Sequence, residues 1–240
     1  MSSVFHLQVS LFGDYKNLDL EKKNVFELYQ EVMSQGLMPS AMKEFDVIKQ
    51  ELKNRPFFVS QDNSYSISIG SGRIDISSDS SAGGKMPSVD LFFEKANLFA
   101  KILYEKLEIP TNRVSFICET VVKRVDTASD ALMEGQKYLN LDHAVNKDTV
   151  FEWSANTVTN AVWPLCDLSE NININVTIAL RNMIRVENGK QFFIPSIVLT
   201  QDINTKGENA TFRFGKEHVE AFLEKARATR TEIEEKVVGE

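Results

Sequence analysis

The chain has 240 residues, 42% of them hydrophobic and 25% charged, and a formal net charge of −7. That length supports one large domain or two small ones, with a core that needs no staple. The acid excess and the lack of any Lys/Arg run disfavour non-specific nucleic-acid binding, which needs a basic surface to displace counterions.

The two cysteines, Cys118 and Cys166, read as reduced, mostly buried thiols rather than as a disulfide. The N-terminal run MSSVFHLQVSLF has no basic leader and only a short, interrupted apolar stretch, so no signal peptide is expected. No stretch approaches the ~18–20 apolar residues of a membrane span, and a cytoplasmic protein without membrane association is the expectation. Sixteen Phe against two Trp and five Tyr point to a core filled by rings without a polar handle.

Residues 4–12 alternate as a first strand and end at Gly13-Asp14. Leu18, Val25, Leu28, Tyr29 and Val32 make a helical stripe over residues 18–33, with Gly36 placed as its C-cap. Residues 40–54 fit two patterns: Phe45, Ile48 and Leu52 have helical spacing, while Phe45-Asp46-Val47 could open a strand. From Phe57 to Ser77 the alternation of Ile67, Ile69, Ile74 and Ile76, broken by Asp62-Asn63 and Gly70-Ser71-Gly72, predicts a three-stranded meander. Ser88 is a natural N-cap for a long helix carrying Val89, Phe92, Ala96, Phe99, Leu103 and Leu107, closed by Pro110.

A strand over residues 114–122 follows, then a helix over 127–141 weakened by Gly135, a further strand over 149–153 and a loop around Pro164. The most specific signal comes next. Ile172, Ile174, Val176, Ile178 and Leu180 alternate with Asn171, Asn173, Asn175, Thr177 and Ala179, and Asn188-Gly189 turns the chain into a return arm over residues 191–200. Pro195 cannot donate to a ladder, so that arm is expected at a sheet edge or a bulge. Residues 210–214 read as another strand. Residues 216–237 form a terminal helix whose charged last turns are expected to project into solvent.

The expected fold class is therefore α+β. Two similar halves, 1–110 and 111–240, each run strand, helix, meander or hairpin, long helix; they share antiparallel sheet, with helices packed on one face. No residue-level repeat supports a duplication, which stands on the order of elements alone.

Few chemical motifs withstand comparison with their templates. Ser81-Ala82-Gly83-Gly84-Lys85 suggests a phosphate loop, but Asp79 stands where Walker A needs a glycine and Met86 where it needs a hydroxyl residue. The helix start at Ser88 keeps an anion site open, with Gly83, Gly84, Lys85 and Ser88 as its cofactor-binding candidates. His6, His143 and His218 lack metal-ligand spacing, and neither cysteine has a partner for nucleophilic catalysis, so no metal, cofactor or catalytic residue is assigned. Asp75 and Asp202 read as strand-end carboxylates, and Asn171, Asn173 and Asn175 as the wet face of one strand.

Phe57-Phe58-Val59-Ser60-Gln61-Asp62, followed by Ile67, Ile69, Arg73 and Ile74, resembles the core of a sporadically distributed, functionally uncharacterised prokaryotic family of two-part α+β proteins. The Phe anchors Phe92 and Phe99, the triplet Asn112-Arg113-Val114, and His218 with Phe222 fall in the family's order. The family's usual tryptophan in the first meander strand is replaced by Phe57 or Phe58. The resemblance implies a bacterial accessory protein, with relatives in mobile or defence-associated gene sets, and carries over no functional residues. The expected function is a non-enzymatic, protein-binding or self-associating module acting through sheet edges or helix faces. The alternative is a phosphate- or nucleotide-binding enzyme using the loop from Ser77 to Lys85.

Overall fold

Alternation with period two governs most of this chain and yields nine strands among the described residues. The computed structural model describes residues 2–18, 23–47, 49–80, 84–107, 109–139, 152–187 and 190–239. In chain order these form β1 (Ser3–Gly13), α1 (Lys23–Ser34), β2 (Leu37–Asp46), β3 (Glu51–Ser60), β4 (Ser66–Ile69), β5 (Arg73–Asp79), α2 (Val89–Leu107), β6 (Thr111–Arg124), α3 (Ala128–Gly135), β7 (Ser154–Leu165), β8 (Leu168–Glu187), β9 (Lys190–Thr205) and α4 (Lys216–Val238). All nine strands join one sheet in the order β2-β3-β4-β5-β1-β6-β9-β8-β7, and every pairing is antiparallel.

One face of the sheet is apolar because its strands contribute every second residue to it. Leu7, Val9 and Leu11 of β1, Ile74 and Ile76 of β5, and Val114 and Phe116 of β6 are buried there. They pack against Val25 and Leu28 of α1, Phe92, Phe99 and Leu103 of α2, and Val219, Phe222 and Ala226 of α4. Each fully buried side chain of this size contributes about 1.5–3 kcal/mol. A second cluster gathers Val125, Ala131, Trp153, Ile178, Leu180, Ile197 and Leu199 beneath α3. The four helices thus lie on one side. β1 sits beside β5 and β6 beside β9, and β1 pairs with β6 at the centre.

Several sequence expectations change. Residues 40–46 and 51–54 are paired arms of β2 and β3, in which Phe45 and Leu52 are cross-strand partners; their seven-residue separation comes from strand pairing, not from helical stacking, and Ile48 lies outside the described residues. The expected strand over residues 149–153 lies partly outside the described residues, and Trp153 precedes β7 instead. The expected loop at Pro164 is the end of that strand. Residues 210–214 make a single bridge, Thr111 with Phe214, rather than a strand. Asn188-Gly189 lies outside the described residues, although Glu187 pairs with Lys190 across it.

The return arm is not an edge. β9 runs between β6 and β8. The Pro195 carbonyl accepts from Val125 N–H at 3.0 Å; the N and O of one strand residue point the same way, so the missing donor of Pro195 falls where β6 ends. The last turns of α4 do not project freely either, because Ile233 and Val237 pack on the second cluster and Arg230 is buried. Phenylalanine is split between core and surface, with Phe26, Phe45, Phe192, Phe193 and Phe212 exposed.

Candidate interaction surface

The phosphate-loop candidates have structural duties where they are described. Gly83 lies outside the described residues. At Gly84 a Cβ would come within 2.1 Å of the Asn63 carbonyl oxygen, so the glycine allows the chain to pass over the β3–β4 turn. Ser88 Oγ accepts from Leu91 N–H at 3.2 Å as the helix cap. Lys85 is exposed. Asp90, in the first turn of α2, pairs with Arg227 of α4 at 2.6 Å and puts negative charge where an anion would sit.

The Ser60-Gln61-Asp62 motif locks the same turn. Asp62 Oδ1 accepts from Ser60 Oγ, Ser64 Oγ and Ser64 N–H, and Ser60 Oγ accepts from Tyr65 N–H. The bonds from Ser64 and then Ser60 hold the Asp62 carboxyl down to about 2. Burial pushes the Tyr65 hydroxyl up to about 12.

The helix-free face carries a polar row. Cross-strand pairing aligns Ser68, Asp75, Ser10, Ser115, Asn204, Asn173 and Asn160 in one row over seven strands. Asp75 accepts from Ser10 Oγ at 2.6 Å and pairs with Arg73. Asp202 accepts from Asn204, which in turn accepts from Arg113. Three strand steps of roughly 4.8 Å separate β5 from β9, so Asp75 and Asp202 do not form an acid–base pair. Arg113 and Arg73 both lie over the Phe12 ring, at 4.7 and 5.8 Å. Asn175 and Asn173 belong to this face, whereas Asn171 stands near its exposed rim.

The histidines act in structure. His6 meets Asp79 at 3.1 Å across β1 and β5. His218 accepts from Gly215 N–H through Nδ1 and donates from Nε2 to Asp167 Oδ1 at 2.7 Å, docking the β7–β8 turn on the start of α4. That bond lowers the Asp167 carboxyl. His143 lies outside the described residues. Both cysteines are free; Cys118 is buried as expected, but Cys166 is exposed in the turn. Burial pushes the Cys118 thiol up against the opposing pull of Arg230. A disulfide-exchange reagent should therefore modify one thiol quickly in the folded chain, and the second only at the rate of unfolding. Two fast thiols, or a fast one surviving in Cys166→Ser, would contradict this.

No protein-family model matches the chain, and no curated protein matches it. The surface itself must then supply the functional reading. Among the described residues no helix is long and apolar enough to cross a membrane, and no group of His, Cys, Asp and Glu could hold a metal ion.

Two features escaped sequence reasoning. Both are two-stranded arms that run past their neighbours. On β3, residues 51–56 pair with β2 alone, because β4 meets only residues 57–59. On β9, residues 190–194 pair with β8 alone, because β6 ends opposite Ser196 and the chain after it reaches only Pro195. Each arm carries an exposed apolar cross-strand pair: Phe45 (56% exposed) with Leu52 (62%), and Ile184 (59%) with Phe193 (66%). Phe192 adds a second exposed ring. Beside the β8–β9 arm lies a groove of about 400 Å³ in which Val4, Phe5, Val121, Met183, Ile184 and Ile194 are joined by three serines and Arg124.

Proposed function

We propose that this chain is a non-enzymatic, cytoplasmic protein-binding or assembly module whose two apolar-tipped arms are contact surfaces. The observation that carries this reading is the pairing of exposed apolar side chains on arms that, among the described residues, have no further sheet neighbour beyond their own hairpin. An isolated two-stranded hairpin is marginal in water and gains nothing by exposing Phe. A partner covering the tip would stabilise both the contact and the arm. The β8–β9 arm is the stronger surface, because its Met183, Ile184 and Ile194 also line the adjoining groove.

The resemblance to the sporadically distributed prokaryotic family belongs to the same proposal, and supports an accessory role within mobile or defence-associated gene sets. The shared placement of first and last strands in each half likewise supports descent of the two halves from one unit.

The test is affinity capture from the native host with wild-type chain and with the double variant Ile184→Ser/Phe193→Ser. Removing two such side chains from an interface costs about 3–5 kcal/mol, so the captured partner should bind at least a hundredfold more weakly. The variant should keep its unfolding midpoint, since neither side chain is buried in the free chain. A partner held equally well by the variant and by Phe45→Ser/Leu52→Ser would remove the reading.

A further inference from the structure

The free edge of the sheet at β7 differs chemically from the opposite edge. β2 carries Pro39, Lys43, Glu44 and Asp46, the kinds of residue that discourage edge-to-edge pairing. β7 reads SANTVTNAVWPL and holds no charged residue. It pairs with β8 without a register break along all twelve residues, so no bulge twists it away. Among the described residues nothing pairs with its outer side. Long, regular and uncharged, and left uncovered among the described residues, it lacks the usual protections of an edge over residues 154–162, its one proline standing at the end.

The direction of its peptide groups follows from two observations. Trp153 O accepts from Leu180 N–H at 3.0 Å, and the two-residue turn at Cys166 and Asp167 makes Leu165 and Leu168 partners. Both put the odd-numbered residues of β7 in hydrogen-bonding register with β8. The N–H and C=O groups of Ser154, Asn156, Val158, Asn160 and Val162 therefore point outward. Pro164 takes the one outward position where the strand ends, and its missing N–H leaves the β8 ladder intact.

We infer that β7 is a homodimerisation edge, pairing antiparallel with β7 of a second copy to make one sheet across two chains. The occupant is a second copy because the edge is complementary to itself. Centred on Val158, the two-fold arrangement sets Val158 opposite its twin, Asn156 opposite Asn160 and Ser154 opposite Val162. All of these are outward-facing, and Pro164 falls beyond the paired segment. A neutral strand meets its twin without charge repulsion, and Asn156 with Asn160 and Thr157 with Thr159 satisfy one another across the pair. Pairing removes both free edges at once, so it closes at two copies instead of growing. This surface is separate from the arms.

Sedimentation velocity on the full chain tests the inference. The interface is small, so dissociation is expected in the micromolar range, with dimer dominating by about 200 µM. Asn160→Pro removes an outward donor and leaves the β8 ladder whole; Val158→Lys opposes two like charges. Both variants should sediment as monomers at every concentration, with a wild-type unfolding midpoint. Ile184→Ser/Phe193→Ser should still dimerise, which separates this inference from the arm reading. A wild-type chain that stays monomeric overturns the inference, and so does a dimer that survives both edge variants. A dimer lost only in the arm variant would assign association to the arm and overturn it equally.

Discussion

Arg55→Met is expected to destabilise the fold by about 3–5 kcal/mol, the usual effect of removing one partner from a buried ion pair. Arg55 is 2% exposed, yet every bond it makes is to a charged or backbone oxygen. Nε donates to Glu44 at 2.6 Å, and Nη1 donates to the carbonyls of Leu18, Lys16 and Tyr15 at 2.9, 3.1 and 3.4 Å. Methionine fills the volume but leaves those oxygens without a donor. Glu44 completes the hub by accepting from Ser71 N–H and Oγ. Burial alone pushes the Glu44 carboxyl up, but the bonds from Ser71 and Arg55 together bring it below its ordinary 4.5. A carboxyl lowered in the folded state contributes stability above its unfolded value and loses it as pH falls through the folded value. Resistance to urea should therefore fall below pH 4.5, and Glu44→Gln should flatten that part of the profile. A midpoint for Arg55→Met equal to wild type would dispose of the hub.

The same device recurs at Arg213. Its guanidinium holds Glu170 at 2.6 and 2.9 Å, and Nη1 donates to the carbonyls of Asn112, Asn209 and Thr211. Neither hub is legible in the sequence, because each arginine meets a carboxylate from another strand or turn and at least one carbonyl far away in the chain, Leu18 for Arg55 and Asn112 for Arg213. The strands and long helices were legible where one face is buried. Ile172 to Leu180 alternate because one face meets the core, and α2 starts at the residue after the Ser88 cap. β7 was missed for the converse reason: only Trp163 and Leu165 are buried, so its middle shows no apolar alternation. Phe45, Leu52, Ile184 and Phe193 read as core by type, and only the pairing map shows that no neighbour covers them. Asn63, packed against Gly84, likewise turns a phosphate-loop signal into a matter of close backbone approach.

Phe222→Ala should cost about 3–5 kcal/mol, lowering the unfolding midpoint by roughly 6–20 °C in a chain of this size. The ring is fully buried on α4 and lies 5.8 Å from the Trp163 ring of β7. Alanine leaves a cavity between the terminal helix and the sheet, and this layer relaxes poorly because Val219 and Ala226 already fill the flanking turns. Ile233→Ala, at a half-buried position over the second cluster, should cost about 1 kcal/mol by the same reasoning. The larger effect is also expected to be uneven. The contact of Trp163 with Phe222 is a main hold of the helix layer on β7, whose residues 156–160 are exposed and kept by the β8 ladder alone. In Phe222→Ala, amide exchange should accelerate most at Thr157, Thr159 and Ala161, whose N–H groups point to β8, and least in β4 and β5. An edge loosened in this way would also pair less readily with a second copy, so the dimer should weaken in step with β7 protection. Equal loss of protection across all nine strands would show that α4 stabilises the sheet only globally and that the Trp163 contact does not hold β7.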